Sequence, residues 1–289
     1  MFKIPDFQAE PEKEVIDLSK AFEDSIIDLT KEVDRPPNAL TIGIDDRSYK
    51  GVHYPLRCCT FGNISMIVGE EKSRKSFLKS LLEACAIGGK SNNFTNGIDI
   101  RGHNLEDKFI ISIDAEQDTY DAWLNGIRVP KMVGGMYDGY KMLKWREKSK
   151  DERIELLDWL YMESPYKDKL GIVVMDGFVD FVKDFNDLKE CDEFASKLMK
   201  YSSITHSHIM GVLHLNPNSE KARGHLGTII GQKCETVIII KNMGDYSVVK
   251  RKVGRGKTFD PFTIRVDDEW LPYISDDEIN NEQQNIKLS

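Results

Sequence analysis

Five short runs dominate the sequence: ISMIVG (64–69), FIISID (109–114), GIVVMD (171–176), IMGVLH (209–214) and TVIIIK (236–241). Each is almost continuously apolar and rich in β-branched residues, the pattern of strands buried on both faces. Between them lie helix-forming stretches such as SRKSFLKSLLEACAIG, DERIELLDWLYME and CDEFASKLMKYSSIT. Strands alternating with helices predict an α/β fold, a mostly parallel twisted sheet with helices on both faces. Beyond residue 245, YSVVKRKVGRGK and FTIRVD read as an antiparallel hairpin at the sheet edge. The domain so delimited spans residues 38–272.

Two flanking segments differ in character. In residues 1–37, Val15, Leu18, Phe22, Ile26 and Leu29 recur at helical spacing and predict an amphipathic N-terminal arm, which Pro36 and Pro37 terminate. The stripe either folds back on its own domain or lies on a neighbouring subunit. Residues 273–289 are acidic and polar and read as a disordered tail. No apolar run approaches the roughly 20 residues of a membrane helix, and the start lacks a signal-peptide pattern. The expectation is a cytoplasmic protein with no membrane partner. The five cysteines include no C-x-x-C pair, which predicts buried, reduced thiols. With a net charge of −8 the chain is no basic nucleic-acid coat, yet KRKVGRGK (250–257) concentrates five basic residues and no acid. A local cationic strip of this kind still meets phosphates.

In parallel α/β sheets ligands bind beyond the carboxyl ends of the strands, so the residues after each apolar run decide the chemistry. The first run leads into GEEKSRKS, which matches the phosphate-loop pattern G-x-x-x-x-G-K-[ST] at all but one position. Gly69, Glu70 and Glu71 open this loop, Lys72, Ser73 and Arg74 form its turn, and Lys75, Ser76 and Phe77 begin the following helix. Amides at a helix N-terminus bind phosphate oxygens. Lys75 supplies an ammonium for the β/γ oxygens and Ser76 a hydroxyl for Mg²⁺. Arg74 replaces the pattern's second glycine and must adopt its left-handed backbone, at a cost of about 1–2 kcal/mol. Asp114 and Glu116 follow the second run, where a water attacking a γ-phosphate needs a base; a solvated acidic loop is the other reading. Asp176 ends the third run, placed to hold Mg²⁺ together with Ser76. His214 ends the fourth, open to two readings, a satisfied core histidine or a group that senses the γ-phosphate.

These motifs, in this order, resemble the RecA-like P-loop ATPases, and most closely the branch of RepA-type hexameric helicases. FIISIDAEQD is similar to the recombinase strand whose glutamate activates water, and GIVVMDG to the family's Walker B strand. VLHLNPNSEKARGHLG is similar to the RepA-type stretch that carries a phosphate-sensing histidine and an arginine. The resemblance covers roughly residues 38–267. It implies ATP and Mg²⁺ as cofactors and catalytic roles for Glu116, His214 and Lys75. It also implies active sites between subunits of a ring or filament, to which Arg223, Lys250, Lys252 or Arg255 reaches from the neighbour. A further implication is a sheet in which the histidine strand separates the phosphate-loop strand from the Walker B strand.

The expected function is an ATPase acting on single-stranded DNA in replication or recombination. EKARGHLG and GGMYDGYKMLKWREKSK (134–150), where basic residues interleave with aromatics, are candidate DNA contacts, although the second also fits a solvated basic face with core aromatics. The alternatives are a nucleotide-dependent helicase loader with little turnover, and a small-molecule kinase, for which the sequence offers no arginine-rich lid.

Overall fold

The computed structural model describes residues 17–49, 51–88, 93–216, 219 and 221–277. The chain divides after Arg35. Among the described residues of the first unit, Leu18–Asp24 forms the one helix, α1, with Asp17 as its N-cap. Val15 lies outside the described residues. The expected stripe does not form a single helix, because Ile26 and Leu29 fall beyond the end of α1. There Asp28 accepts hydrogen bonds from the Thr30 amide and hydroxyl, a local turn that competes with helix. Leu18, Phe22, Ile26 and Leu29 are exposed.

The second unit begins with a long antiparallel hairpin that the sequence pattern did not suggest, β1 (Asn38–Tyr49) and β2 (Val52–Thr60). β3 (Ile64–Gly69), α2 (Lys75–Gly88), β4 (Ile100–Gly102), β5 (Phe109–Asp114) and α3 (Thr119–Val133) follow. Next come β6 (Tyr140–Lys144), α4 (Lys150–Met162), β7 (Leu170–Asp176), α5 (Leu188–Thr205), β8 (His208–His214) and α6 (Gly224–Lys233). The chain closes with β9 (Thr236–Asn242), β10 (Ser247–Gly254), β11 (Phe262–Val266) and β12 (Pro272–Ser275). β4 pairs with β1, so β2-β1-β4 is a small sheet of its own.

The nine-stranded main sheet has the order β12-β11-β10-β9-β3-β8-β7-β5-β6. From β9 to β6 all pairings are parallel, and from β9 to β12 all are antiparallel. The five apolar runs are five of its strands, and β8 separates β3 from β7 as expected. The edge hairpin of β10 and β11 is present, extended by β12, so Tyr273 to Ser275 belong to the sheet and not to a tail. Arg265 and Asp277 brace this end with two hydrogen bonds of 2.7 Å. Residues 278–289 lie outside the described set.

Side chains alternate along each strand and feed two cores. Ile67, Val174 and Val212 meet α2, α3 and the small sheet on one face. Val68, Val173, Met175 and Leu213 meet α4, α5 and α6 on the other. At roughly 25 cal/mol per Å² of buried apolar surface these faces are the main stabilising contribution. All five cysteines are free and buried. Among the described residues no helix is long and apolar enough to cross a membrane.

Candidate functional site

The parallel register brings four strand ends to one side of the sheet. Gly69 at the end of β3 lies beside His214 at the end of β8. Asp176 at the end of β7 lies beside Val212 and, across the other edge, beside Asp114. A cavity of about 690 Å³ opens above them, lined by Glu71 through Phe77, Glu116, Asp176 and His214, and by part of α3. Lys75, Glu116, Asp176 and His214, far apart in the chain, therefore face one space. Gly69 and Glu70 form the base of the loop.

The loop turns sharply. Gly69 has no room for a Cβ, which would collide with Ser73 Oγ and the Ile240 carbonyl. Lys72 and Arg74 both adopt left-handed backbones, with φ of 59° and 69°. The strain at Arg74 is offset by its side chain, which points to the β9–β10 turn. There it donates to Asn242 Oδ1 (3.0 Å), Ser247 Oγ (2.9 Å), the Gly244 carbonyl (2.6 Å) and the Asp245 carbonyl (3.2 Å). The turn returns the contact, since Asn242 Nδ2 donates to the Lys72 carbonyl (3.3 Å) and Ser247 Oγ to the Ser73 carbonyl (3.2 Å). The residue that departs from the motif thus fastens the loop to the antiparallel part of the sheet.

Lys75 Nζ donates to the carbonyls of Gly69 (3.1 Å) and Glu70 (2.6 Å) and to His214 Nδ1 (3.1 Å). Burial pulls its pKa down to about 8, against the opposing pull of Asp176, Glu116, Glu71 and Glu70. Burial and the Lys75 ammonium likewise lower His214, so Nδ1 accepts from a charged lysine while the ring stays neutral. Glu116 is raised above the ordinary carboxylate value by partial desolvation and by Asp176, Asp180 and Asp114. A carboxylate shifted upward in this way is better matched to taking a proton near neutral pH. Asp114 is fully buried and accepts the amides of Glu116 (3.0 Å) and Gln117 (2.8 Å) on Oδ1. It orients the loop rather than facing a ligand.

No family model matches this chain, and no curated protein does. The geometry alone carries the functional reading.

Of the residues singled out for a neighbour's site, none lines the cavity of its own chain. Arg223 stands at the start of α6 with its guanidinium 4.8 Å from the Phe185 ring, and its amide donates to the His214 carbonyl (2.9 Å). Lys250 and Lys252 lie along β10, which runs antiparallel to β9. Arg255 follows at the far end of that strand, its amide donating to the Glu235 carbonyl (2.8 Å). The candidate DNA stretch 134–150 contributes β6 and the buried Trp145, packed against Phe181. Its aromatics are in part core, while Arg146 and Lys148 are exposed.

Three site residues were not found in the sequence. Lys79, one turn beyond Lys75 on α2, is 1% exposed and pairs with Asp176 Oδ2 at 3.1 Å. Burial opposes its charge, but Asp176, Glu83 and Asp114 together outweigh burial and hold its pKa above the ordinary value. Asn125 and Arg128 reach the cavity from α3. The signal for these two was present: Asp121, Asn125 and Arg128 sit at i, i+4 and i+7, which places three polar residues on one face of the helix.

Proposed function

We propose that this chain is a RecA-like P-loop ATPase that acts on single-stranded DNA as a homo-oligomer, with ATP bound between subunits. One observation carries the reading: an ammonium, an upshifted carboxylate, a second carboxylate and a neutral histidine face one cavity at the N-terminus of α2. That set suits a triphosphate. The α2 amides and Lys75 neutralise phosphate oxygens, and an anionic ligand restores the basicity that burial removes from Lys75. Glu116 takes a proton from the attacking water. His214, hydrogen-bonded to Lys75, registers whether the terminal phosphate is present.

The residues present also fit Mg²⁺. Ser76 and Asp176 line the same cavity, and Oδ2 of Asp176 is committed to Lys79, leaving Oδ1 for the cation. One hydroxyl and one carboxylate suffice, because Mg²⁺ keeps several waters and shares substrate phosphates. When bound it neutralises charge on the β- and γ-phosphates. Among the described residues no group of three or more His, Cys, Asp and Glu side chains forms a self-sufficient metal site.

The Lys79–Asp176 pair favours one second reading. A carboxylate already neutralised by an ammonium holds a metal less tightly, which suits a nucleotide-dependent loader with little turnover. ATP hydrolysis measured with and without single-stranded DNA, beside the mass of the particle in ATP, separates the two. Turnover that rises with DNA and disappears in Lys75→Ala is the expected result. ATP binding with negligible turnover under every condition would favour the loader, and the absence of ATP binding would end both.

A further inference from the structure

The most unusual charge in the cavity is not on the loop. Arg128 is 9% exposed, lines the cavity, and lies with its guanidinium carbon 3.9 Å from the centre of the Phe77 ring. Its only hydrogen bond among the described residues runs from Nη1 to Asn125 Oδ1 at 2.6 Å, and Nε is buried with no acceptor. A guanidinium has five donors, and a buried one is ordinarily surrounded by acceptors. Arg153, 8% exposed, follows that rule and donates to the carbonyls of Trp145, Asp180, Ala115 and Arg146. Arg153 holds the structure together, whereas Arg128 is left with donors to spare. Burial pushes the Arg128 pKa down to about 10, with Asp121 the only opposing charge.

We propose that Arg128 is a phosphate-binding residue of this site, donating to the phosphate chain of a nucleoside triphosphate from α3, beside Phe77. The proposal rests on the nucleotide reading above and adds a residue to it. The planar fork of a guanidinium matches phosphate oxygens in pairs. Packing against Phe77 fixes its plane, so little side-chain freedom remains to be lost on binding.

Arg128 is also connected to the general base. Asn125, which accepts from Arg128, donates through Nδ2 to Asp114 Oδ2 at 3.4 Å, and Asp114 Oδ1 holds the amides of Glu116 and Gln117. This chain of contacts runs from Arg128 to the backbone of the loop that carries Glu116.

The test is equilibrium binding of ATP, pyrophosphate and adenosine to the full chain, with Lys75→Ala as a reference for the loop. Arg128→Gln is expected to weaken ATP and pyrophosphate by about 10–100-fold, the size of one lost charge-assisted contact. Adenosine binding should be unchanged and the salt dependence of ATP binding shallower. Its melting temperature without nucleotide should stay close to that of the wild type, because the removed charge has only the Asn125 bond and the Phe77 ring to lose while its burial is relieved. Arg128→Lys should recover part of the ATP affinity. Wild-type ATP affinity in Arg128→Gln, alongside loss in Lys75→Ala, overturns the role of Arg128 and leaves the nucleotide reading standing. Equal loss of adenosine and ATP binding in Arg128→Gln marks Arg128 as structural and also overturns the proposal. Failure of the wild type to bind ATP or pyrophosphate overturns the nucleotide reading and this inference with it.

Discussion

Restoring glycine at position 74, which repairs the motif, should weaken the protein. Arg74→Gly relieves a left-handed backbone (φ 69°), a gain of about 1–2 kcal/mol. It also frees the unfolded chain, a loss of about 0.5–1 kcal/mol. The larger change is the removal of four hydrogen bonds to Asn242, Gly244, Asp245 and Ser247. At this partly buried position about 0.5–1 kcal/mol each is appropriate, or about 2–4 kcal/mol together. The balance is a net loss centred on about 2 kcal/mol, within bounds of about 0.5–4 kcal/mol. Arg74→Ala keeps the backbone strain and loses the same bonds, so it should be roughly 1 kcal/mol worse than glycine. For a domain of this size 2 kcal/mol corresponds to a melting temperature lower by roughly 4–8 °C. Urea denaturation of wild type, Arg74→Gly and Arg74→Ala measures all three values. The reasoning fails if the glycine variant is as stable as the wild type, or if alanine equals glycine.

Three further outcomes are expected. Glu116→Gln should keep nucleotide affinity and lower turnover by about 10²-fold or more, measured by analogue binding and phosphate release; parallel loss of both would make Glu116 structural. Lys79→Met should destabilise by about 3–5 kcal/mol in urea, since it leaves the Asp176 carboxylate buried without its partner; a loss below about 1 kcal/mol would refute the pair's importance. His208 is fully buried between Ser65 Oγ (2.7 Å) and the Thr60 carbonyl (2.9 Å), and burial pulls its pKa down to about 4 from 6.5. The unfolded chain therefore binds the extra proton between pH 6.5 and 4. Stability present above pH 6.5 should be lost as pH falls through that window, by about 3 kcal/mol in full. Glu235, whose Oε1 lies 3.7 Å from His208 and whose pKa burial raises, acts with the opposite sign above its ordinary 4.5. The comparison is thus with His208→Gln at each pH, and an identical pH slope in the variant would refute the assignment.

The central strands and the convergence of their ends were legible because each follows from local composition. An unbroken β-branched run has few ways to be satisfied outside a covered sheet, and its terminal polar residue must leave at the same edge as its parallel neighbours. β6 and the β1–β2 hairpin were not legible in the same way. YKMLK is short and mixed in polarity, and an edge strand gains its definition from β5 alongside it. β1 carries several register shifts against β2, which break the alternation a reader looks for. Lys79 looks like any charged residue on an amphipathic helix until its ammonium is seen to meet Asp176 at the end of β7. Arg74 showed its backbone requirement in the motif, but not the side-chain anchors that make the conformation tolerable.

Those anchors impose an order on synthesis. Asn242 lies 168 residues after Arg74, so at about 5–20 residues per second the loop waits roughly 10–30 s for them to leave the ribosome. A nascent chain that has already formed β3 and α2 still carries an unbraced loop. The braced shape of the loop is accordingly a late event, reached only when the antiparallel border of the sheet closes.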